Sequence, residues 1–132
     1  MSINALQKAV FETLVADAAI LALTGPGKVF DNRPVRKAAP YLVIGAWRVD
    51  DWSSGTEAGA EHIFEIEVWS EEAGRKQAAA IAEAVQAALH DADLALPGFH
   101  LVGLRHRRTR TGRERNSRFF AARIEFRAAV EH

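Results

Sequence analysis

Glu61-His62-Ile63-Phe64-Glu65-Ile66-Glu67-Val68-Trp69-Ser70, followed at once by Glu71-Glu72-Ala73-Gly74, is the stretch on which the fold turns. His62, Phe64, Ile66 and Val68 fall on one side of an extended chain. Ile63, Glu65, Glu67 and Trp69 fall on the other, the period-two pattern of a strand with one face on a core. Ser70 is placed to cap a helix, with Glu71 and Glu72 in a first turn whose dipole favours anions. From Gly74 the period changes to about 3.6 residues, and Gly74, Ala78, Ile81, Ala82, Val85, Ala88 and Leu89 make one apolar stripe. Its alanines favour helix and let it lie close to a sheet. His90 closes it at the end that favours a cation.

The same signals place the other elements. Ile3, Leu6, Val10 and Leu14 recur at helical spacing behind Ser2 or Asn4, either of which can cap. A short helical piece follows over residues 17–23, and Thr24-Gly25-Pro26-Gly27 ends it. Val29-Phe30 reads as a short strand and Asp31-Asn32-Arg33-Pro34 as a turn. Pro40 fits the position before a strand over 41–49. Residues 50–60 read as a long loop, 99–109 as a third main strand, 110–117 as an arginine-bearing loop and 119–130 as a fourth strand. In that last strand Phe120, Ala122, Ile124, Phe126, Ala128 and Val130 share one face, and Arg123, Glu125 and Arg127 the other. The order is helix, hairpin, helix, hairpin. It predicts an α+β fold: a mixed, mostly antiparallel sheet of four to five strands in two hairpins, with an N-terminal helix and one long central helix on one face. The 132 residues form a single domain, 1–132, on this reading.

Lys+Arg and Asp+Glu both number 17, so the formal charge is zero, which argues against a protein that coats nucleic acid. No run is long and apolar enough to span a membrane, and the first residues lack the pattern of a signal peptide. There is no cysteine, which removes disulfides, thiolate nucleophiles and Cys-ligated zinc. There is no Gly-x-Ser-x-Gly elbow, P-loop, Rossmann glycine pattern or His-Glu-x-x-His. His90, Asp91 and Asp93 match no metal-site spacing and read as a solvated helix end. His100 and His106 read as partly buried and hydrogen-bonded, and Glu65 and Glu67 as solvated carboxylates. Neither a catalytic site, a cofactor nor a metal is expected.

The charges nevertheless separate along the chain. Between Val49 and Gly74 there is no Lys or Arg, while Asp50, Asp51, Glu57, Glu61, Glu65, Glu67, Glu71 and Glu72 lie there. Arg105, Arg107, Arg108, Arg110, Arg113, Arg115 and Arg118 crowd a later segment with only Glu114 against them. Unlike patches on one neutral subunit predict head-to-tail contact between copies. Surface ion pairs contribute only about 0.2–1 kcal/mol each, so apolar anchors are needed, and Trp47, Trp52 and Trp69 are the candidates. The predicted interface residues are Asp50, Asp51, Trp52, Glu57, Glu61 and Trp69 with the seven arginines. The alternative is a small nucleic-acid-binding module that uses the arginine hairpin on phosphates.

Ordered landmarks carry a family resemblance: Leu6-Gln7-Lys8-Ala9-Val10, Asp31 with Pro34, Pro40-Tyr41 running to Ile44-Gly45, and Asp51 with Ser53 and Thr56. Glu61-His62, Val68-Trp69-Ser70 with Gly74, Leu101-Val102 and Phe126-Arg127-Ala128 continue it. In that order and spacing the chain resembles the tail terminator (tail completion) family of long-tailed phages and gene transfer agents. The resemblance implies an α+β subunit of a hexameric ring. The ring sits on the tail tube protein, ends tail polymerisation and presents a joining surface to the head-tail connector protein. DNA passes through its lumen without sequence-specific binding. It also implies a place in the tail of a virion or phage-like particle, assembly in the bacterial cytoplasm, and no enzymatic activity.

Overall fold

The computed structural model describes residues 2–52, 58–71 and 75–132. Helices α1 (Ile3–Ala16) and α2 (Ala18–Thr24) lead into strands β1 (Val29–Phe30), β2 (Tyr41–Asp51) and β3 (Gly59–Ser70). Helix α3 (Arg75–Leu89) then precedes β4 (His100–Arg113) and β5 (Phe120–Glu131). The sheet order is β1-β2-β3-β5-β4, with only β1–β2 parallel. This is the expected mixed, mostly antiparallel α+β architecture, built on two hairpins.

The alternation in β3 and β5 sets the layering. Phe64, Ile66 and Val68 on β3 pair across to Phe126, Ile124 and Ala122 on β5, and all six are buried in one cluster under the helices. Leu6, Val10 and Leu14 of α1, Ile20 of α2, and Ala78, Ile81, Val85 and Leu89 of α3 close that cluster. Phe64 is its centre, stacked on Trp47 at 4.2 Å and on Phe126 at 5.5 Å between ring centroids. Phe64→Ala is therefore expected to cost about 3–5 kcal/mol, the usual range for emptying an aromatic core site. On the helix-free face a smaller cluster joins Tyr41, Val43, Trp69 and Ala121.

Several expected boundaries move. β2 reaches Asp51 and β3 begins at Gly59, so Asp50↔Glu61 and Asp51↔Ala60 extend the ladder into the presumed loop. β4 runs on to Arg113, because its pairing with β5 continues as far as Phe120. Arg105, Arg107, Arg108, Arg110 and Arg113 thus sit on a strand, and only Arg115 and Arg118 belong to the turn. Helix α3 spans 15 residues, about 22 Å. Ser70 does not cap it; the residue ends β3, fully buried, with its hydroxyl on the Gln77 side-chain oxygen. Glu72 and Gly74 lie outside the described residues.

Ser2 does not cap α1 through its side chain either. Its Oγ lies 2.9 Å from Nε2 of His62, which is fully buried. Trp47 Nε1 donates to His62 Nδ1 at 2.9 Å, which fixes the neutral tautomer with the proton on Nε2, donating to Ser2. A second ring proton would face the Trp47 N–H. Burial accordingly pushes the His62 pKa below its ordinary 6.5. The unfolded chain then binds a proton that the native state refuses. This contribution to stability is complete above about pH 6.5 and is lost as pH falls toward the depressed native value. Denaturation curves between about pH 7.5 and 5.5 are expected to show that loss. His62→Gln, which can accept from Trp47 and donate to Ser2 without titrating, is expected to flatten it.

Candidate interaction surface

The helix-free face of the sheet carries a column of acid beside columns of mixed and basic charge. Glu61, Glu65 and Glu67 stand on β3, Arg123, Glu125 and Arg127 on β5, and Arg105, Arg108 and Arg110 on β4. Register sets Glu65 opposite Glu125, Arg127 opposite Arg105, and Arg123 opposite Arg110. Like charges directly opposite are destabilising, and diagonal partners relieve them. Arg110 reaches across β5 to Glu65 at 2.7 Å, and Arg127 turns to Glu61 at 2.7 Å. Arg107 and Arg108 converge on Glu125 Oε2 at 3.4 and 3.3 Å. Arg123 bridges Glu114 at 3.3 Å and Glu67 at 3.8 Å.

Glu61, Glu65 and Glu67, which the sequence sets against a partner or leaves solvated, are therefore matched to arginines of their own chain. Arg107, Arg108 and Arg110 are engaged the same way, and Arg118 meets Glu71 at 3.5 Å. Among the described residues Arg105, Arg113 and Arg115 remain exposed without an ion pair. Asp50 pairs with Arg48 at 3.0 Å, and Asp51 beside it is exposed. Trp52 is 44% exposed and lies over Gly59, where a Cβ would stand 1.6 Å from its Nε1. Ser53, Thr56 and Glu57 lie outside the described residues.

The other two tryptophans serve the chain itself. Trp47 stacks in the core. Trp69 is 4% exposed; its Nε1 donates to Glu67 at 3.1 Å, and its ring is covered by Arg33, 3.9 Å from the centroid. As an exposed anchor Trp69 gives way to this intrachain cover. His100 is exposed rather than partly buried, because a bulge between Leu101 and Gly103 resets the alternation. His106 is half-buried as expected, edge-on to Phe126 and bonded to Thr109 at 2.8 Å. His90 Nδ1 accepts from the His106 backbone N–H at 3.0 Å. Among the described residues no group of His, Asp and Glu could hold a metal ion.

One cationic site escapes the sequence reading. The segment between β1 and β2 carries Arg33, Arg36 and Lys37, and it borders a cleft of about 540 Å³ closed on the other side by Arg118 and Phe119. Lys28 anchors the segment by donating to the carbonyls of Ala38 at 2.7 Å and Pro40 at 2.8 Å. Burial, with Lys37 nearby, lowers the Lys28 pKa. Arg33 donates from Nε to the Tyr41 hydroxyl at 3.1 Å and lies against the Phe119 ring at 4.5 Å. The available signal was three cations within five residues, in a stretch that reads as a turn.

A salt-bridged sheet face and strand ends of unlike charge are the main features of this surface. The chain matches the family described as tail completion protein gp17 over residues 8–131. It belongs to that family, and with it to the structural components of the virion tail. A chain in the solved structure described as the virion of a native gene transfer agent (GTA) particle is 40% identical to it. That alignment covers 99% of this chain and 98% of the other, with a TM-score of 0.92. A second solved structure, 15% identical over 99% of this chain and 95% of the other with a TM-score of 0.58, shares the fold alone. No curated protein matches.

The cross-sheet pair Glu65–Arg110 gives a direct check of the charge register. A double-mutant cycle with Glu65→Gln and Arg110→Gln is expected to yield a coupling of up to about 1 kcal/mol that shrinks with added salt. Zero coupling at low salt would contradict the pairing.

Proposed function

We propose that this tail component forms a ring that caps the tail tube, ends its polymerisation and offers the joining surface for the head. The single observation that supports this most directly is the pairing of charge on the sheet face. With that face largely neutralised internally, much of the exposed charge stands at the two ends of the strands, where a subunit can meet its neighbours, and Arg105, midway along β4, is exposed on the face as well. The tail-completion family and the relative in a gene transfer agent virion support a place among tail and head proteins. In this reading the ring is a hexamer, DNA crosses its lumen without base readout, assembly takes place in the bacterial cytoplasm, and no substrate is transformed. The whole chain acts as a single domain.

The residues proposed to face other molecules are Asp50, Asp51, Trp52, Glu57, Arg105, Arg113 and Arg115. Electron microscopy of the purified protein, alone and with tail tubes, tests the reading. Rings seated at tube ends, with tube length fixed when the protein is present during polymerisation, are the expected result. Tubes that keep growing and carry no terminal density would contradict it. The nucleic-acid alternative gains nothing from the internal pairing, which leaves three of the seven clustered arginines without a carboxylate among the described residues. A log–log salt slope near −3 at most is then expected for DNA binding through this hairpin alone, against about −6 if all seven met phosphate.

A further inference from the structure

Although the acidic and arginine-rich segments pair with each other on the sheet face, the charge carried at the two ends of the strands differs in sign. Register puts Tyr41, Ser70, Phe120 and Arg113 at one end of the sheet. It puts Asp51, Ala60, Val130 and Leu101 at the other. The ends are roughly 33 Å apart over the length of β2. Arg33, Arg36, Lys37 and Arg118 gather at the first end around the cleft, with Glu71 the one carboxylate lining it among the described residues. Arg36 and Lys37 are exposed and have no carboxylate partner among the described residues. Asp50, paired with Arg48 at 3.0 Å, and Asp51 stand at the second end, with Glu131 on the adjoining strand terminus.

Each end also carries an exposed apolar side chain. Val35, between Arg33 and Arg36, is 95% exposed, the most open of the large apolar residues among those described. Trp52, directly after the two aspartates, is 44% exposed. A surface made only to hold phosphate has no use for a protruding valine. A valine ringed by cations matches an aromatic flanked by carboxylates, in the usual arrangement of an apolar anchor with a charged rim. Arg33 keeps the basic side in shape, held by Trp69, Phe119 and Tyr41.

We propose that the cleft bounded by Arg33, Arg36, Lys37 and Arg118 is the docking site for a second copy of this chain, which inserts its Asp50-Asp51-Trp52 end. This names the contact between subunits and rests on the ring reading above. The contact is heterologous, so it propagates from copy to copy and closes when the rotation closes. The arginines of β4 then serve the sheet face and are not the main bond between subunits.

The test uses two charge-reversed forms of the full chain, Arg36→Glu with Lys37→Glu, and Asp50→Lys with Asp51→Lys. All four side chains are exposed, so both forms are expected to fold, checked by circular dichroism. Each form alone sets like charge against like at every junction and is expected to weaken ring formation at least tenfold by light scattering. An equimolar mixture restores unlike charges at every junction when the two forms alternate, and is expected to recover rings. As a second readout, Val35→Cys and Trp52→Cys chains, in a protein with no other cysteine, are mixed and oxidised on tail tubes. A mixed disulfide between the two chains is expected. Rings unaffected by either reversal, or no recovery on mixing, would overturn the docking site while leaving the ring reading intact. A wild-type chain that forms no ring with or without tubes would overturn both. Loss of DNA binding in the Arg36→Glu/Lys37→Glu form with assembly unchanged would make the cleft a phosphate site and sink the proposal.

Discussion

The pairing of β3 with β5 is the constraint from which the rest of the molecule follows. Twelve consecutive cross-strand partners, Gly59↔Glu131 to Ser70↔Phe120, run without a bulge. Because side chains alternate strictly, that one register fixes both faces at once. It stacks Phe64 on Phe126 beneath the helices and sets Glu67 opposite Arg123 on the far side. A slip of one residue would turn the charges into the core and the phenylalanines into water. The β2 and β4 hairpins extend this central pair outward, and α3 lies across β3, β4 and β5.

The helix-free face shows what the register does electrostatically. Exposed ion pairs are individually weak, yet here they resolve conflicts that the register itself creates. Glu65 against Glu125 and Arg123 against Arg110 would repel in isolation. Each is satisfied diagonally or across an intervening strand, so the face is a network and not a set of independent bridges. Glu65 and Glu125 side chains are only 15% and 12% exposed, so water screens them less than it screens the strand ends. Exposed charge also stands at those ends, Asp50 and Asp51 at one and Arg36, Lys37 and Arg113 at the other.

Much of this was legible in the sequence. Strict alternation over 61–69 and 119–130 and the alanine-rich stripe of α3 identified the elements and the core face. Local patterns could not give the rest. Two bulges on β4, at Leu101/Gly103 and His106/Arg108, break the parity that paired His100 with Leu104 and leave Val102 52% exposed. The fate of the arginines depended on which strand lay beside which, and Arg110 meets Glu65, 45 residues away, only because β5 intervenes. The Ser2–His62 bond, 60 residues apart, left no trace in a window-sized pattern. Trp69 looked like surface because it shares parity with two glutamates. Its cover, Arg33, comes from a segment that carries no periodicity at all.

Hydrogen exchange on the free protein and on the protein assembled at tail tubes tests the central claim most directly, that subunits meet through oppositely charged strand ends while the sheet face stays satisfied within each chain. The account requires new protection in the backbone of residues 33–39 and 50–52, with the amides of β3 and β5 unchanged. Protection gained along α1 and α2 or along the outer edge of β4, with both ends exchanging as before, would contradict it.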